Sequence, residues 1–458
     1  MIDPLSNIET TGEVDRLVDR AVNPRRVPSG EPQPAAAAAP VAVHPWDKYI
    51  WGIYIALLII SVIELYGASS REVRADNIFG PIISHGKMLL LGLAACYVVA
   101  RTPYKWFITL TPFFVGISIL AAIYALFKGE VLNGAARSFR LFGIPIQPSE
   151  MLKLSAVLII AFFCSRYQLK RGGVSTRGVW FCAAIVLLFS GLLITQGMTN
   201  TLLLMSISVA MFIMGGIGGR KLFTVLLIYG VIGCCAIAYK FSREDDGKPD
   251  KDLNEMVNTG QTIDRTGIWQ ARIGRWIGNG KPLYEEPMTK ENAQEMYAYM
   301  AQANGGVSGR LPGNSREASR LPLAFSDFIF SIIIEDWGFI GGLFLLIIYL
   351  SLLGRAAAVA TSCSRAFPAL LVLGMAVMVT FQALCHMAIV TGVFPVSGQP
   401  LPLISKGGTS ILITSVAFGI MLSVSKYAVR NDMKSNEIKN EIQQLPGDMS
   451  AENPTQLR

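Results

Sequence analysis

Between residues 49 and 428 the chain alternates apolar runs with short polar breaks. The runs are about 20 residues long, enough for a helix to cross the hydrocarbon core of a bilayer. Ten spans are predicted, at about 49–67, 86–100, 106–127, 149–165, 178–195, 201–218, 222–241, 333–353, 367–391 and 408–428. The fold class expected is an all-α polytopic membrane protein with ten transmembrane helices. Residues 1–46 are polar and then Pro/Ala-rich, which predicts a disordered tail. Residues 47–428 form the membrane domain, and 429–458 a second polar tail.

One polar break is far longer than a connector needs to be. It covers residues 242–326 and begins acidic (REDDGKPDKD). In TGIWQARIGRWIGNG, helical spacing puts Trp269, Ile273 and Trp276 on one face, as in a helix lying on a membrane surface. A second helix is predicted at about 289–304, with Ala293, Met296, Met300 and Ala303 as its packing face. A Gly-rich basic stretch, GGVSGRLPGNS, follows. The chain then re-enters apolar sequence at Asp327, with Glu335 and Asp336 further along. A carboxylate at such a boundary is either a helix cap or a group with a task.

Composition agrees with the hydropathy pattern. Of 458 residues 52% are hydrophobic and 16% charged, and the mean hydropathy is +0.45. Soluble domains carry about 25% charged residues. The net charge of +8 therefore reads as membrane topology and not as nucleic-acid binding. Alternate short loops hold Arg101 and Lys105, then Arg166, Lys170, Arg171 and Arg177, then Arg220 and Lys221, then Arg355 and Arg365, without acids. That bias predicts a cytoplasmic side for these loops and for both termini. Seven cysteines and three histidines are scattered, with no disulfide framework or metal-ligand spacing.

Several charges stand at the predicted outer ends of spans. Glu150 and Lys153, three residues apart, share a helix face, either as an internal bridge or as the wall of a polar cavity. Arg137 and Arg140 precede them, and Lys406 lies in SKGGTS. Glu64 is expected simply to reach water at the end of the first span. Cations beside Gly-rich loops suit an anionic ligand such as a phosphate or diphosphate. A groove between spans suits a lipid tail, and Asp327 suits a general base.

Three blocks, in order, resemble the SEDS family (shape, elongation, division and sporulation). They are NGAARSFRLFGIPIQPSEMLKL, QANGGVSGRLPGNS with LPLAFSDFIFSIIIEDWGFIGG, and GVFPVSGQPLPLISKGGTSIL. They are similar to the family's NGARRWI with QPSE and KL, its LPEAHTDFIF with EELGFIG, and its PVTGLPLPFISYGGSS. The resemblance covers about residues 48–428 and leans towards the division branch. It implies a peptidoglycan glycosyltransferase that polymerises lipid II in the bacterial inner membrane, releasing undecaprenyl pyrophosphate with inversion at the sugar. It implies Asp327 as the catalytic carboxylate and points to Arg137, Glu150 and Lys153; with Lys406, Gly407, Gly408 and Ser410 of the third block they are the candidate substrate-binding residues. A divalent cation, magnesium or manganese, held in part by Asp327, is the candidate cofactor. The implied partners are a class B penicillin-binding protein of the FtsI-like type and the divisome activators. The alternatives are an elongation polymerase of the same family or a lipid II flippase. Departures from the family pattern are Leu323 for Glu, Phe325 for His, Ser138 for Trp and Lys406 for Tyr.

Overall fold

A computed structural model describes residues 46–68, 80–128, 130–132, 135–141, 144–169, 173–194, 197–243, 274, 276, 285, 287–289, 292–321 and 324–443. Most of the N-terminal tail, the acidic start of the long loop and the last residues, 444–458, lie outside them.

The helices in chain order are α1 (Lys48–Ala68), α2 (Gly80–Arg101), α3 (Lys105–Lys128), α4 (Pro148–Arg166), α5 (Thr176–Ile194), α6 (Met198–Met214), α7 (Gly219–Arg243), α8 (Ala293–Gly305), α9 (Ile329–Thr361), α10 (Ala366–Val390) and α11 (Gly408–Gln443). Among the described residues eight of them are long and apolar enough to cross a membrane: α1 to α5 and α9 to α11. At the place of the sixth expected span, α6 has 17 residues and ends four residues early, because Gly216 takes a left-handed φ of 77°. α7 stands at the seventh.

Burial separates the centre of the bundle from its rim. In α4, α10 and α11, 78%, 78% and 83% of the apolar span is buried, against 22% in α3. The three central helices therefore set the positions of everything that projects between them, while α3 is left to face lipid.

The loop between α3 and α4 holds a three-stranded antiparallel sheet: β1 (Glu130–Leu132), β2 (Ala135–Leu141) and β3 (Ile144–Ile146), with β2 in the middle. This is an addition to the all-helical expectation. Phe139 pairs with Ile146 and packs edge-on against Tyr124 of α3. Pro148 at the start of α4 then turns β3 into a helix.

α8 packs against α9 with a different face from the one expected. Met296, Ala298, Ala301 and Gly305 are buried, whereas Met300 and Ala303 are exposed. The small side chains let the two backbones approach closely, and that outweighs the larger apolar surface of Met300. Trp276, from the expected surface helix, is half exposed and donates from Nε1 to the Gly392 carbonyl at 3.1 Å. The rest of that helix falls largely outside the described residues.

Within α9, Gly338 has φ 73°, which breaks the helical ladder. The freed groups are taken up by the Gly-rich loop. Arg310 N and Leu311 N donate to the Glu335 and Asp336 carbonyls at 3.0 and 2.8 Å, and Phe339 N donates to the Gly306 carbonyl at 2.9 Å. Backbone groups released inside a membrane must find such partners. Gly309 (φ 77°) and Gly338 lie backbone to backbone, with no room for a Cβ at either.

Candidate active site

The polar site is built on an irregular segment between α10 and α11. Residues 399 and 401–405 are buried although they are not helical. Their carbonyls are held one by one. Tyr349 Oη donates to Pro402 O at 2.6 Å, Ser61 Oγ to Ile404 O at 3.2 Å, and His386 Nδ1 to Gln399 O at 2.6 Å. Leu403 sits at φ 66°, a strained conformation for a branched side chain. Buried, satisfied irregular backbone with a strained residue is what a positioned site requires.

This segment grips the turn that carries Asp327. Ser405 Oγ donates to Ser326 O at 2.6 Å and accepts from Leu401 N at 2.8 Å. Lys406 N donates to Phe325 O at 2.9 Å, and Lys406 Nζ lies 4.8 Å from the centre of the Phe325 ring. Asp327 itself is half-buried just before α9, and its Oδ1 accepts from Ser326 Oγ at 3.1 Å. Two segments some 80 residues apart thus place the carboxylate and the Lys406 ammonium in one region. The family His and Tyr are replaced here by Phe325 and Lys406, and the replacements touch each other.

A cavity of about 550 Å³ opens between the start of α2, β3 and the start of α11. His85, Lys87, Pro145, Lys406, Gly407 and Gly408 line it. Two ammonium groups and the N-terminus of α11 make it a place for negative charge. Ser410, in the first turn of α11, is buried, and its Oγ has no partner among the described residues. Thr409 Oγ1 bonds to the Pro145 carbonyl and accepts from Gln147 N, which ties β3 to α11.

Glu150 and Lys153 lie elsewhere. Lys153 has no exposed surface and Glu150 is 2% exposed. Lys153 Nζ donates to Glu150 Oε1 at 2.7 Å and to Gln382 Oε1 of α10 at 2.8 Å. This is the internal bridge of the two alternatives, and Gln382, which completes it, was not singled out in the sequence. The link to the site is indirect, through Gln382 Nε2 and the Pro400 carbonyl at 3.4 Å. Arg137 lies in β2, and its side chain is outside the described residues.

Glu64 does not reach water. It is fully buried, and its Oε1 accepts from Trp337 Nε1 of α9. Neighbouring Asp336 is 1% exposed. Glu335 has a clear structural role. Its carboxylate accepts from Ser315 Oγ, from Arg316 N at 3.0 Å and from Glu317 N at 3.4 Å, which fixes the end of the Gly-rich loop. Among the described residues no three acidic, histidine or cysteine side chains converge as a metal site.

Residues 47–430 match the family of cell cycle proteins designated FtsW/RodA/SpoVE. The chain belongs to this family. It is 28% identical over 402 residues to the probable peptidoglycan glycosyltransferase FtsW of Trichlorobacter lovleyi, covering 84% of this chain and 94% of the relative. It is 27% identical over 390 residues to the stage V sporulation protein E of Bacillus subtilis, covering 82% and 96%. Among solved structures, a chain of a peptidoglycan synthase complex that coordinates polymerization and crosslinking aligns with a TM-score of 0.60 at 21% identity, covering 84% and 98%. The rod shape determining protein RodA of Thermus thermophilus aligns at 0.56 and 21%, covering 83% and 96%. Family membership and the long apolar helices make this a multi-pass membrane protein.

Proposed function

We propose that this family member is a peptidoglycan glycosyltransferase that polymerises lipid II. The observation that carries the reading is the grip of the 401–406 segment on the Asp327 turn, beside a cation-lined cavity. Its relatives are named as probable glycosyltransferases of this type.

A sugar hydroxyl is a weak nucleophile at neutral pH. Asp327 takes the proton of the acceptor's C4 hydroxyl while that oxygen attacks C1 of the donor sugar. The bond from C1 to the diphosphate breaks, and the electron pair leaves with the lipid diphosphate. One base and one displacement invert the α donor linkage to β. The leaving group needs cations more than an acid, and Lys406 and the α11 N-terminus supply positive charge near it. Gly407 and Gly408 let the backbone approach a phosphate closely. Arg137 adds a further cation in this reading. Glu150 and Lys153 act from behind, by holding α4 to α10 under the site. Were a magnesium or manganese ion bound, Asp327 would be the residue to hold it, and the ion would offset negative charge on the diphosphate leaving group.

The proposed setting is the bacterial inner membrane at the division septum, with both termini cytoplasmic and the site facing the periplasm. The proposed partners are an FtsI-like class B penicillin-binding protein and the divisome activators. The test is glycan-strand synthesis from lipid II by the purified protein with its cognate transpeptidase. Asp327→Asn should lower the rate by about 100-fold or more with folding intact. Equal rates would remove Asp327 from the base role. Translocation of lipid II without polymer from either protein would establish the flippase alternative.

A further inference from the structure

The turn between α2 and α3 presents two cations at one boundary of the bilayer. Arg101 is the last residue of α2 and Lys105 the first of α3, and both are exposed. The stretch that holds them, RTPYKW, contains no acid. Both flanking helices are long and apolar enough to span the membrane, which puts the turn at headgroup depth. α3 is the helix left to face lipid, and Trp106 at its start is 59% exposed. Indole rings favour that interface.

Arg101 is held in place before any ligand arrives. Its guanidinium carbon lies 4.7 Å from the centre of the Tyr97 ring, one turn earlier in α2. Tyr97 meets Trp46 edge-on at 5.6 Å, and Trp46 packs on Trp51 of α1 at 5.9 Å. The turn itself is anchored to α11, where Ser423 Oγ donates to the Thr102 carbonyl. A guanidinium over a ring keeps N–H groups at its edge for oxygen acceptors. Fixing it beforehand lowers the entropy lost on binding. Other loop cations are engaged by the protein. Lys221 Nζ donates to Val174 O at 3.0 Å, and Arg355 Nε and Nη2 donate to Asp47 Oδ2 at 2.8 and 2.6 Å. Among the described residues neither Arg101 nor Lys105 has an acidic partner.

We propose that this turn binds the headgroup of an anionic phospholipid, with Arg101 and Lys105 on its phosphate and Trp106 beside it. A headgroup of net negative charge gains from both cations. A choline headgroup brings a cation of its own and loses that advantage. A soluble acidic peptide would make no use of the exposed indole or of the lipid-facing side of α3. The cavity described above lies at the other end of α2, so this site is independent of the glycosyltransferase reading.

The experiment is native mass spectrometry of the full-length protein released from nanodiscs of equal phosphatidylglycerol and phosphatidylcholine. Wild type should retain phosphatidylglycerol in preference. Arg101→Gln and Lys105→Gln should each reduce the preference by about fivefold, the worth of one cation near an anionic lipid, and together should nearly abolish it. Tyr97→Leu keeps every charge but frees the guanidinium, and should reduce the preference by about twofold or more. Lys221→Gln removes an engaged cation and should leave it unchanged. No preference in wild type, or one that survives the double variant, would overturn the proposal. An equal fall in Lys221→Gln would do so too, because net charge alone would then explain the binding. If the charge variants do not fold, Tyr97→Leu decides, and a wild-type preference in it sinks the site.

Discussion

Lys153, at the start of α4, and Lys406, just before α11, are both lysines at the ends of apolar spans, and the structure treats them oppositely. Lys153 is sealed between α4 and α10, with Glu150 and Gln382 as partners. Lys406 leans on the Phe325 ring and lines a cavity. Burying an ammonium group is costly unless oxygen atoms surround it. Lys153 has those oxygens within the protein, so its charge is used up in holding helices together. Lys406 instead stands at the wall of a cavity, just before the start of α11. A charge in a span thus marks a polar position, and its partners decide between structure and chemistry.

The largest expected effect comes from breaking the sealed pair. Lys153→Met leaves the Glu150 carboxylate buried and uncompensated, a loss of about 3–5 kcal/mol. Thermal unfolding in detergent should show it, and adding Glu150→Gln should recover much of the loss. If Lys153→Met unfolds like wild type, the bridge holds nothing together. Next is Glu335→Gln, which weakens the charge-assisted bonds to the 315–317 backbone by about 1.5–3 kcal/mol. Hydrogen exchange should then speed up in that loop and not in α4. Gly309→Ala follows. A left-handed φ costs a side chain about 1–2 kcal/mol, and the α9 backbone leaves no space for it. Its signature is local loosening of 306–311 with the Glu150 bridge intact. Lys406→Met should cost the fold least, about 0.5–1 kcal/mol for the lost ring contact. Its effect belongs in binding, as weaker affinity for diphosphate and a shallower dependence on salt. A large drop in melting temperature instead would make Lys406 a second Lys153.

Much of the architecture was readable because lipid imposes a simple length rule. The apolar runs correspond in place to the helices, and Asp327 lies where the apolar sequence resumes. Contacts between distant segments were not readable. Asp47, at the start of α1, accepts from Arg355 Nε at 2.8 Å across 308 residues of chain. Trp337 reaches Glu64 over 273 residues and takes it out of water. The buried face of α8 differs from the expected one because close approach to the α9 backbone favours small side chains, which apolar spacing does not register. The sheet at 130–146 was missed because its strands are short and interrupted.

What the sequence determined by itself was where the apolar helices lie and the family motifs, which depend on local composition and order. What only the tertiary structure decided was which polar groups meet: Lys153 with Gln382, Ser405 with the Asp327 turn, Ser61 with His85. Those pairings depend on helices closing around an irregular, buried segment. Each polar group there takes whatever partner the packing brings within hydrogen-bond reach, and no spacing along the chain encodes that distance.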